Sequence, residues 1–324
     1  MPFPRRALLS LPLLAPLPAM AQQPWPTRPV RFIVMQPPGP GSDQMARALS
    51  AHYQAAFGQT FVVENRPGAG GTITAQMVAQ ATDMHAIGMV FGGPTTTAKA
   101  LNPGLAYDPA TAFSSISLVS RSPLVLVVHP SFPARNWADL LRVIRANPGR
   151  YRYASIGPGS TTHLSMEETK HRLGLDIEHV PYRGFAPATL DLLAGRVEVM
   201  FHSPFSAVQH IRSGELIGLV QTGLRRARPM PDIPTLAEVG EPPEAAFFGW
   251  VGIIAPAGFP REAAERLAAI TSHALRTDPA VAGREEENGT EIVGAGPAEL
   301  DALQASDRAR WIAVIRRLNL TLTD

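Results

Sequence analysis

The residues of this chain best suited to chemistry lie in one short stretch, Tyr153–Leu164, which reads YASIGPGSTTHL. Hydroxyl groups of Ser155, Ser160 and Thr161 stand within a few positions of the imidazole of His163. The glycines between them let a ligand approach the main chain closely. The helix predicted to follow would offer first-turn N–H groups without a partner inside the helix, which favours an anion. The stretch therefore predicts an anion-binding turn.

Two other kinds of chemistry use the same residue types. Ser155 or Ser160 with His163 would suit a hydrolase nucleophile and base, but no third group to orient the histidine is evident. His163, Glu167 and His171 recur at helical spacing, as metal ligands on one helix face would, although a solvated face explains the spacing more simply. The sequence contains no G-x-S-x-G, Walker A or complete dinucleotide motif. We therefore expect a binding protein without metal or cofactor, and keep a Ser/His hydrolase as the alternative.

The elements that must position these groups repeat the order strand, glycine loop, helix. Val30–Met35 leads through Gln36–Gly41 into a helix that we expect Ser42 to cap. Asn65–Gly71 and Gly92–Thr97 are further glycine-rich turns after strands. Strands alternating with helices predict an α/β fold with mostly parallel sheets, in which ligands bind at the carboxyl ends of the strands.

Hydrophobic periodicity sets the expected bounds of the elements. Strands are predicted at Val30–Met35, Phe61–Glu64, Ala86–Phe91, Leu124–His129, Arg152–Ile156, Glu178–Tyr182, Glu198–Phe201, Leu216–Gln221 and Phe247–Ile254. Helices are predicted from Ser42 to Gly58 and at Ile73–Ala81, Trp137–Ala146, Met166–Leu173, Thr189–Ala194, Ser206–Arg212, Glu262–Arg276 and Pro297–Arg317.

Composition and the first residues indicate a globular, exported protein. Hydrophobic residues make up 45% and charged residues 17% of the chain, a balance that can bury a core. The 324 residues include no cysteine, which excludes disulfides, thiol nucleophiles and thiolate metal sites. Residues 1–21 combine Arg5 and Arg6, a short apolar segment and a small-x-small ending, so we expect a signal peptide cleaved after about Ala21. The arginine pair leaves Sec and Tat export both open.

Cleavage at that position changes the charge of the mature chain. The full sequence has 29 basic and 27 acidic residues, and the loss of Arg5 and Arg6 leaves 27 of each. The basic pI of the full sequence therefore gives no reason to expect nucleic acid as a partner. No later stretch of the sequence is apolar for long enough to cross a membrane.

Seven motifs follow one another along the chain and together resemble one family. They are Val30–Asp43, Val63–Thr72 (VENRPGAGGT), Ala154–Leu164, His179–Gly184 (HVPYRG), Asp191–Val197 (DLLAGRV), Pro231–Gly240 (PDIPTLAEVG) and Trp250–Gly258. Each motif alone is weakly specific, but seven in order, from about Trp25 to the C-terminus, are highly specific. They resemble the Bug family, the TctC-like periplasmic solute-binding components of tripartite tricarboxylate transporters.

This resemblance implies two α/β domains like those of type II periplasmic binding proteins, with a ligand cleft between them that closes like a trap. It implies a signal peptide at 1–21, one domain from 22–122 with 223–324, and a second from 123–222, with crossings near Arg121–Leu124 and Gln221–Leu224. It also implies a monomer in the periplasm that passes a small organic acid to membrane permease subunits. Input to a signalling receptor is a second use within the same class.

In the family, the loop after the first strand and the loop matching Ser155–His163 pinch a ligand carboxylate through backbone amides, hydroxyls and bridging waters. Together with the other strand-end loops, these motifs predict a set of ligand contacts. The predicted contacts are Gln36, Pro38, Gly39, Gly41, Ser42, Asp43, Thr95, Ser155, Gly157, Gly159, Ser160, Thr161, His163, Tyr182 and Gly184.

The first loop is also where this chain departs from the family. The family usually has an apolar or aromatic residue followed by Pro-Pro-Gly-Gly, whereas this chain has Gln36 and then Pro-Pro-Gly-Pro-Gly. Pro40 removes a backbone donor, which puts one expected amide contact in doubt. Gln36 adds a side-chain amide that could bond either to the ligand or to the loop itself.

Overall fold

The structure, a computed structural model, describes residues 25–39, 41–281, 287 and 289–321. The strands are β1 Val30–Val34, β2 Phe61–Asn65, β3 Ala86–Phe91, β4 Phe113–Pro123, β5 Val125–Val128, β6 Arg152–Ser155, β7 Glu178–Pro181, β8 Val199–His202, β9 Ile217–Gln221, β10 Phe248–Pro256 and β11 Glu291–Ala295. The helices are α1 Ser42–Phe57, α2 Thr72–Ala79, α3 Gly92–Thr96, α4 Ala98–Leu101, α5 Trp137–Ala146, α6 Thr161–Leu173, α7 Phe185–Leu193, α8 Pro204–Arg212, α9 Arg261–Thr277 and α10 Pro297–Leu318. The expected signal peptide and Pro40 lie outside the described residues.

The strands form two sheets. The six-stranded sheet has the order β11-β4-β10-β3-β1-β2, and the five-stranded sheet has the order β7-β6-β8-β5-β9. We call each sheet, with the helices packed on it, the first and the second lobe. Helices α1, α2 and α9 pack on the first sheet, and α6, α7 and α8 pack on the second.

Both sheets are mixed, which corrects the expectation of mostly parallel pairing. Strands β1, β2 and β3 are parallel, as are β6, β7 and β8. In contrast, β10 is antiparallel to β3 and β4, and β5 is antiparallel to β8 and β9. In each sheet the antiparallel strand, β10 or β5, adjoins a passage of the chain between the two sheets.

The 11-residue strand β4 and the strand β11 are absent from the sequence-based prediction. Five serines in Phe113–Pro123 hide the apolar pattern of β4. The structure buries several of them and supplies hydrogen-bond partners: Ser115 Oγ donates to Asp301 Oδ1 at 2.6 Å, and Ser117 Oγ donates to the Ala295 carbonyl at 2.8 Å. These partners come from α10 and β11, more than 170 positions away in sequence, so no local pattern could reveal them.

Two helix starts also differ from expectation. Gly41 is the N-cap of α1, with φ 83°, and Ser42 is the first helical residue, so the prediction that Ser42 caps the helix is wrong. The segment Gly92–Thr97, expected as a turn, forms helix α3. Glycine and threonine have poor helix propensity, but buried packing against β3, β10 and α10 outweighs it.

The chain passes between the lobes at Pro123–Leu124 and again between Gln221 and Phe248. Thr222 is fully buried and forms hydrogen bonds with both passages. Its hydroxyl accepts from the Leu124 amide at 2.8 Å and donates to the Phe247 carbonyl at 2.7 Å. Helix α10 packs on β4 of the first lobe and α6 of the second. None of the helices in the described part of the chain has the length and apolar character needed to span a bilayer.

Candidate functional site

The candidate site lies where the carboxyl edge of the parallel strands in the first lobe meets the glycine loop after β6 in the second. A Cβ atom added to Gly93 would lie 3.0 Å from the Gly159 carbonyl oxygen, and one added to Gly70 would lie 3.8 Å from the Pro158 carbonyl. Thr97 Oγ1 donates to the Gly159 carbonyl at 3.2 Å, a buried hydrogen bond between the lobes. The lobes are therefore in contact at this edge, and glycine is what permits the close approach.

The first loop, between β1 and α1, is held by Asp43. The Asp43 carboxylate accepts from the Gly39 amide at 3.0 Å and from Asn65 Nδ2 at 2.9 Å, and Arg47 pairs with it at 3.1 Å. Its residue surface is only 3% exposed. Burial opposes its ionisation, but the hydrogen bonds from Arg47, Gly39 and Asn65 outweigh burial and lower the pKa of Asp43. Asp43 thus supports the loop with its side chain.

The remaining predicted contacts of this loop differ in their exposure. Gln36, Gly39 and Gly41 are partly buried and Pro38 is exposed, whereas Ser42 is buried. The Ser42 amide donates to Gln36 Oε1 at 3.1 Å. Gln36 therefore bonds to its own loop, one of the two possibilities the sequence left open.

The second loop, 156–160, satisfies most of its own donors. Ser160 is the N-cap of α6: its hydroxyl accepts from the His163 amide at 3.3 Å and donates to the Gly157 carbonyl at 2.6 Å. The Ser155 hydroxyl accepts from the Gly157 amide at 3.1 Å, and His163 Nδ1 accepts from the Gly159 amide at 3.1 Å. The amides of residues 161 and 162, in the first turn of α6, have no acceptor within the helix and are further donors at this loop.

An aromatic stack contacts this loop, and its central member, His179, is not among the predicted ligand contacts. The ring of His179 stacks on Tyr153 at 4.8 Å and on His163 at 4.3 Å between centroids. Its Nε2 lies 2.7 Å from Ser155 Oγ. Tyr153 and His179 are register partners on β6 and β7. This pairing is set by the tertiary structure. In the sequence, His179 is distinguished only by its place in the HVPY motif.

The other predicted residues are Tyr182, Gly184 and Thr95. Tyr182 donates its hydroxyl to Asp191 Oδ2 at 2.8 Å, and burial together with this bond raises the pKa of Tyr182 to about 12. Its carbonyl oxygen would lie 3.5 Å from a Cβ added to Gly157, so its main chain borders the loop. Gly184 is the N-cap of α7 with φ 127°. Thr95 is fully buried, and its hydroxyl donates to the Gly92 carbonyl, so the structure does not bring it to the surface.

The alternative chemistries find little geometric support. No cluster of histidine, aspartate or glutamate fit to hold a metal occurs among the described residues. His163 is fully buried and His171 exposed, so they do not share one accessible face. The Ser160 hydroxyl bonds to the main chain of His163 and not to its imidazole. The Ser155 hydroxyl bonds to His179 Nε2 and to the Gly157 amide.

Behind the loop contact lies a narrow cleft between the lobes. Gly93 and Thr97 line it from the first lobe, Gly159 and Thr161 from the second, and Trp311 closes it. Its lining includes Asp307 and no lysine or arginine. An anion in this region would therefore be met by N–H groups and hydroxyls rather than by a cation.

Comparison with known proteins identifies relatives of this chain. The family model described as "Tripartite tricarboxylate transporter family receptor" (TctC) matches residues 45–320. Protein BugT from Bordetella pertussis is 32% identical over 300 residues, which cover 92% of this chain and 91% of BugT.

Two solved structures with bound acids are also similar. One is R. palustris Rpa4515 with adipate (TM-score 0.83, 31% identity, covering 92% of this chain and 99% of that one). The other is MatC from Rhodopseudomonas palustris with bound malate (TM-score 0.81, 30% identity, covering 90% and 100%). The resemblance and the α/β fold predicted from the sequence are thereby confirmed. A third similar structure is that of the periplasmic binding protein BugD (TM-score 0.82, 31% identity, covering 92% of this chain and 99% of that one). The chain belongs to the tripartite tricarboxylate transporter receptor family.

Proposed function

We propose that this protein captures a small carboxylate-bearing metabolite in the periplasm and delivers it to the permease of a tripartite tricarboxylate-type transporter. The observation that carries the proposal is the meeting of two glycine loops and a helix start across the lobes, joined by the Thr97–Gly159 hydrogen bond. The bound adipate and malate of two relatives about 30% identical support a carboxylate as the ligand class. Differential affinity of the closed state for the ligand would drive closure.

The domain division and the site belong to the same proposal. Residues 22–122 with 223–324 form one domain and 123–222 the other, a division supported by the strand content of the two sheets. The ligand lies between the first loop and the turn that ends in Ser160 and Thr161. Export through the signal peptide ending near Ala21 would place the receptor in the periplasm.

We further propose binding without turnover. A nucleophilic serine needs an exposed hydroxyl and an oriented base. Ser155 is fully buried and its hydroxyl accepts from the Gly157 amide. The Ser160 hydroxyl caps α6 and donates to the Gly157 carbonyl. Both serines thus support the loop rather than present a nucleophile.

A thermal-shift screen of the mature protein tests the proposal. The panel contains mono-, di- and tricarboxylates, including adipate and malate, with aromatic acids, acidic amino acids and neutral amides for comparison. We expect at least one acid to raise the melting temperature, because a ligand that binds only the folded state stabilises it. Calorimetry then gives the dissociation constant.

Two results would contradict this function. One is the absence of any shift with every acid of the panel. The other is consumption of the bound acid during long incubation, followed by chromatography, if Ser155→Ala or Ser160→Ala abolished that consumption. Recovery of the acid unchanged would agree with a receptor.

A further inference from the structure

Gln36 occupies the middle of the edge at which the lobes meet. Strand β1 lies between β2 and β3 in the sheet, and Gln36 follows β1 by one residue. The segments after β2 and β3 carry Gly70 and Gly93, the two glycines that face the loop of the second lobe. Since the carboxyl ends of parallel strands share one edge, the segment between them faces the same loop.

The side-chain amide of Gln36 has a defined orientation. The Ser42 amide lies 3.1 Å from Oε1, and because that amide is a donor, the atom facing it must be the acceptor of the glutamine. Asn65 Nδ2 holds the main-chain carbonyl of Gln36 at 2.9 Å. The Nε2 group is therefore left for another acceptor, and no described residue accepts a hydrogen bond from it. The residue is partly exposed, so this donor is accessible.

Several other donors of this loop are absent or already bonded. The two residues after Gln36 are prolines without an N–H. The Gly39 amide donates to the Asp43 carboxylate, and the Ser42 amide donates to Gln36 Oε1. Arg47 pairs with Asp43 and donates to Asn65. The first turn of α1 also offers main-chain N–H groups and the Ser42 hydroxyl. A ligand oxygen at this edge is thus met by neutral donors, among them the NH₂ group of Gln36.

We propose that Gln36 is a specificity-determining residue: its Oε1 fixes the first loop while its Nε2 donates a hydrogen bond to a ligand carboxylate oxygen. The inference rests on the proposed function and assigns a direct ligand contact to a residue that also braces the loop. A glutamate at this position would keep the acceptor for Ser42 but replace the donor with a negative charge.

Three variants separate these roles. Gln36→Glu preserves shape and the acceptor, Gln36→Met preserves shape without charge or polarity, and Gln54→Glu makes the same charge change at an exposed position near the end of α1. Each is measured by calorimetry with the acid that gives the largest shift in the screen and with its amide, beginning with adipate and adipamide. Melting without ligand reports whether each variant folds.

We expect Gln36→Glu to lose at least tenfold in affinity for the acid, Gln36→Met to lose about threefold to fivefold, and Gln54→Glu to stay within twofold. The amide should lose less affinity than the acid in Gln36→Glu, because glutamate accepts from an amide N–H. Equal affinity of Gln36→Glu and the native protein for the acid would overturn the inference and leave the proposed function standing. If Gln36→Glu does not fold, the native affinity in Gln36→Met overturns it instead. If no acid binds the native protein, the proposed function fails and the inference fails with it.

Discussion

Side chains around the second loop bond mainly to the loop itself. Ser155, Ser160 and His163 accept from amides of residues 157–163, so the donors suggested by the sequence are partly consumed. The sequence predicted helix α6 only from Met166, whereas the helix begins at Thr161 with Ser160 as its N-cap. It could not predict that Gly159 lies against the other lobe, since this depends on how the two lobes meet.

Gly159→Ala tests this approach, with Gly174→Ala as the matched control. Both glycines have left-handed φ, 75° and 63°, so both variants should lose about 1 kcal/mol of unfolding free energy. Only at Gly159 would the new Cβ meet the opposite lobe, 2.3 Å from Leu101 Cδ1, whereas Gly174 has open space. We expect roughly tenfold weaker ligand binding for Gly159→Ala alone, measured by calorimetry. Equal affinities of the two variants would contradict the interlobe contact.

Among the elements, the short helices α3 and α4 matter most for the site. Their start at Gly92 looks like a turn in sequence, yet helical geometry places Thr97 where its hydroxyl reaches both the Gly93 carbonyl and the Gly159 carbonyl. Packing against the rest of the first lobe decides this conformation. The strand–loop–helix order was visible in the sequence, but the element that contacts the opposite lobe was not.

Thr97→Val should weaken the closed state while keeping the shape of the side chain. Loss of one buried hydrogen bond of about 1 kcal/mol corresponds to roughly fivefold weaker ligand affinity. Thr169→Val is the control, because the buried Thr169 hydroxyl donates only to the Ser165 carbonyl within α6. Small-angle scattering with ligand should show a larger radius of gyration for Thr97→Val. Native affinity in this variant would show that the hydrogen bond does not stabilise closure.

For the whole molecule, two sheets are joined by two passages that Thr222 ties together, and α10 packs on both lobes. The stability of a chain without cysteine depends on its core. One buried titratable group makes that stability depend on pH. His202 ends β8, is fully buried, and lies 2.7 Å from Thr189 Oγ1.

Burial lowers the pKa of His202 to about 4. The unfolded chain binds this proton near its ordinary pKa of about 6.5, so between these values the unfolded state holds more protons. We therefore expect the free energy of unfolding to be highest above about pH 6.5 and to fall by up to about 3 kcal/mol as the pH drops to about 4. Urea denaturation across this range measures the slope, and His202→Gln should flatten it. A native protein equally stable at pH 7 and 4.5 would contradict the neutral buried histidine.

The sequence by itself determined the α/β class, the family resemblance and the position of most strands and helices, because these follow from local periodicity and motifs. It also located the glycine loops and the departure at Gln36. Only the tertiary structure decided that the sheets are mixed, that His179 supports the second loop, and that Thr97 and Gly159 meet between the lobes. Each of these depends on residues distant in sequence, since strand register, buried polar pairing and lobe contact are set by the packing of whole elements.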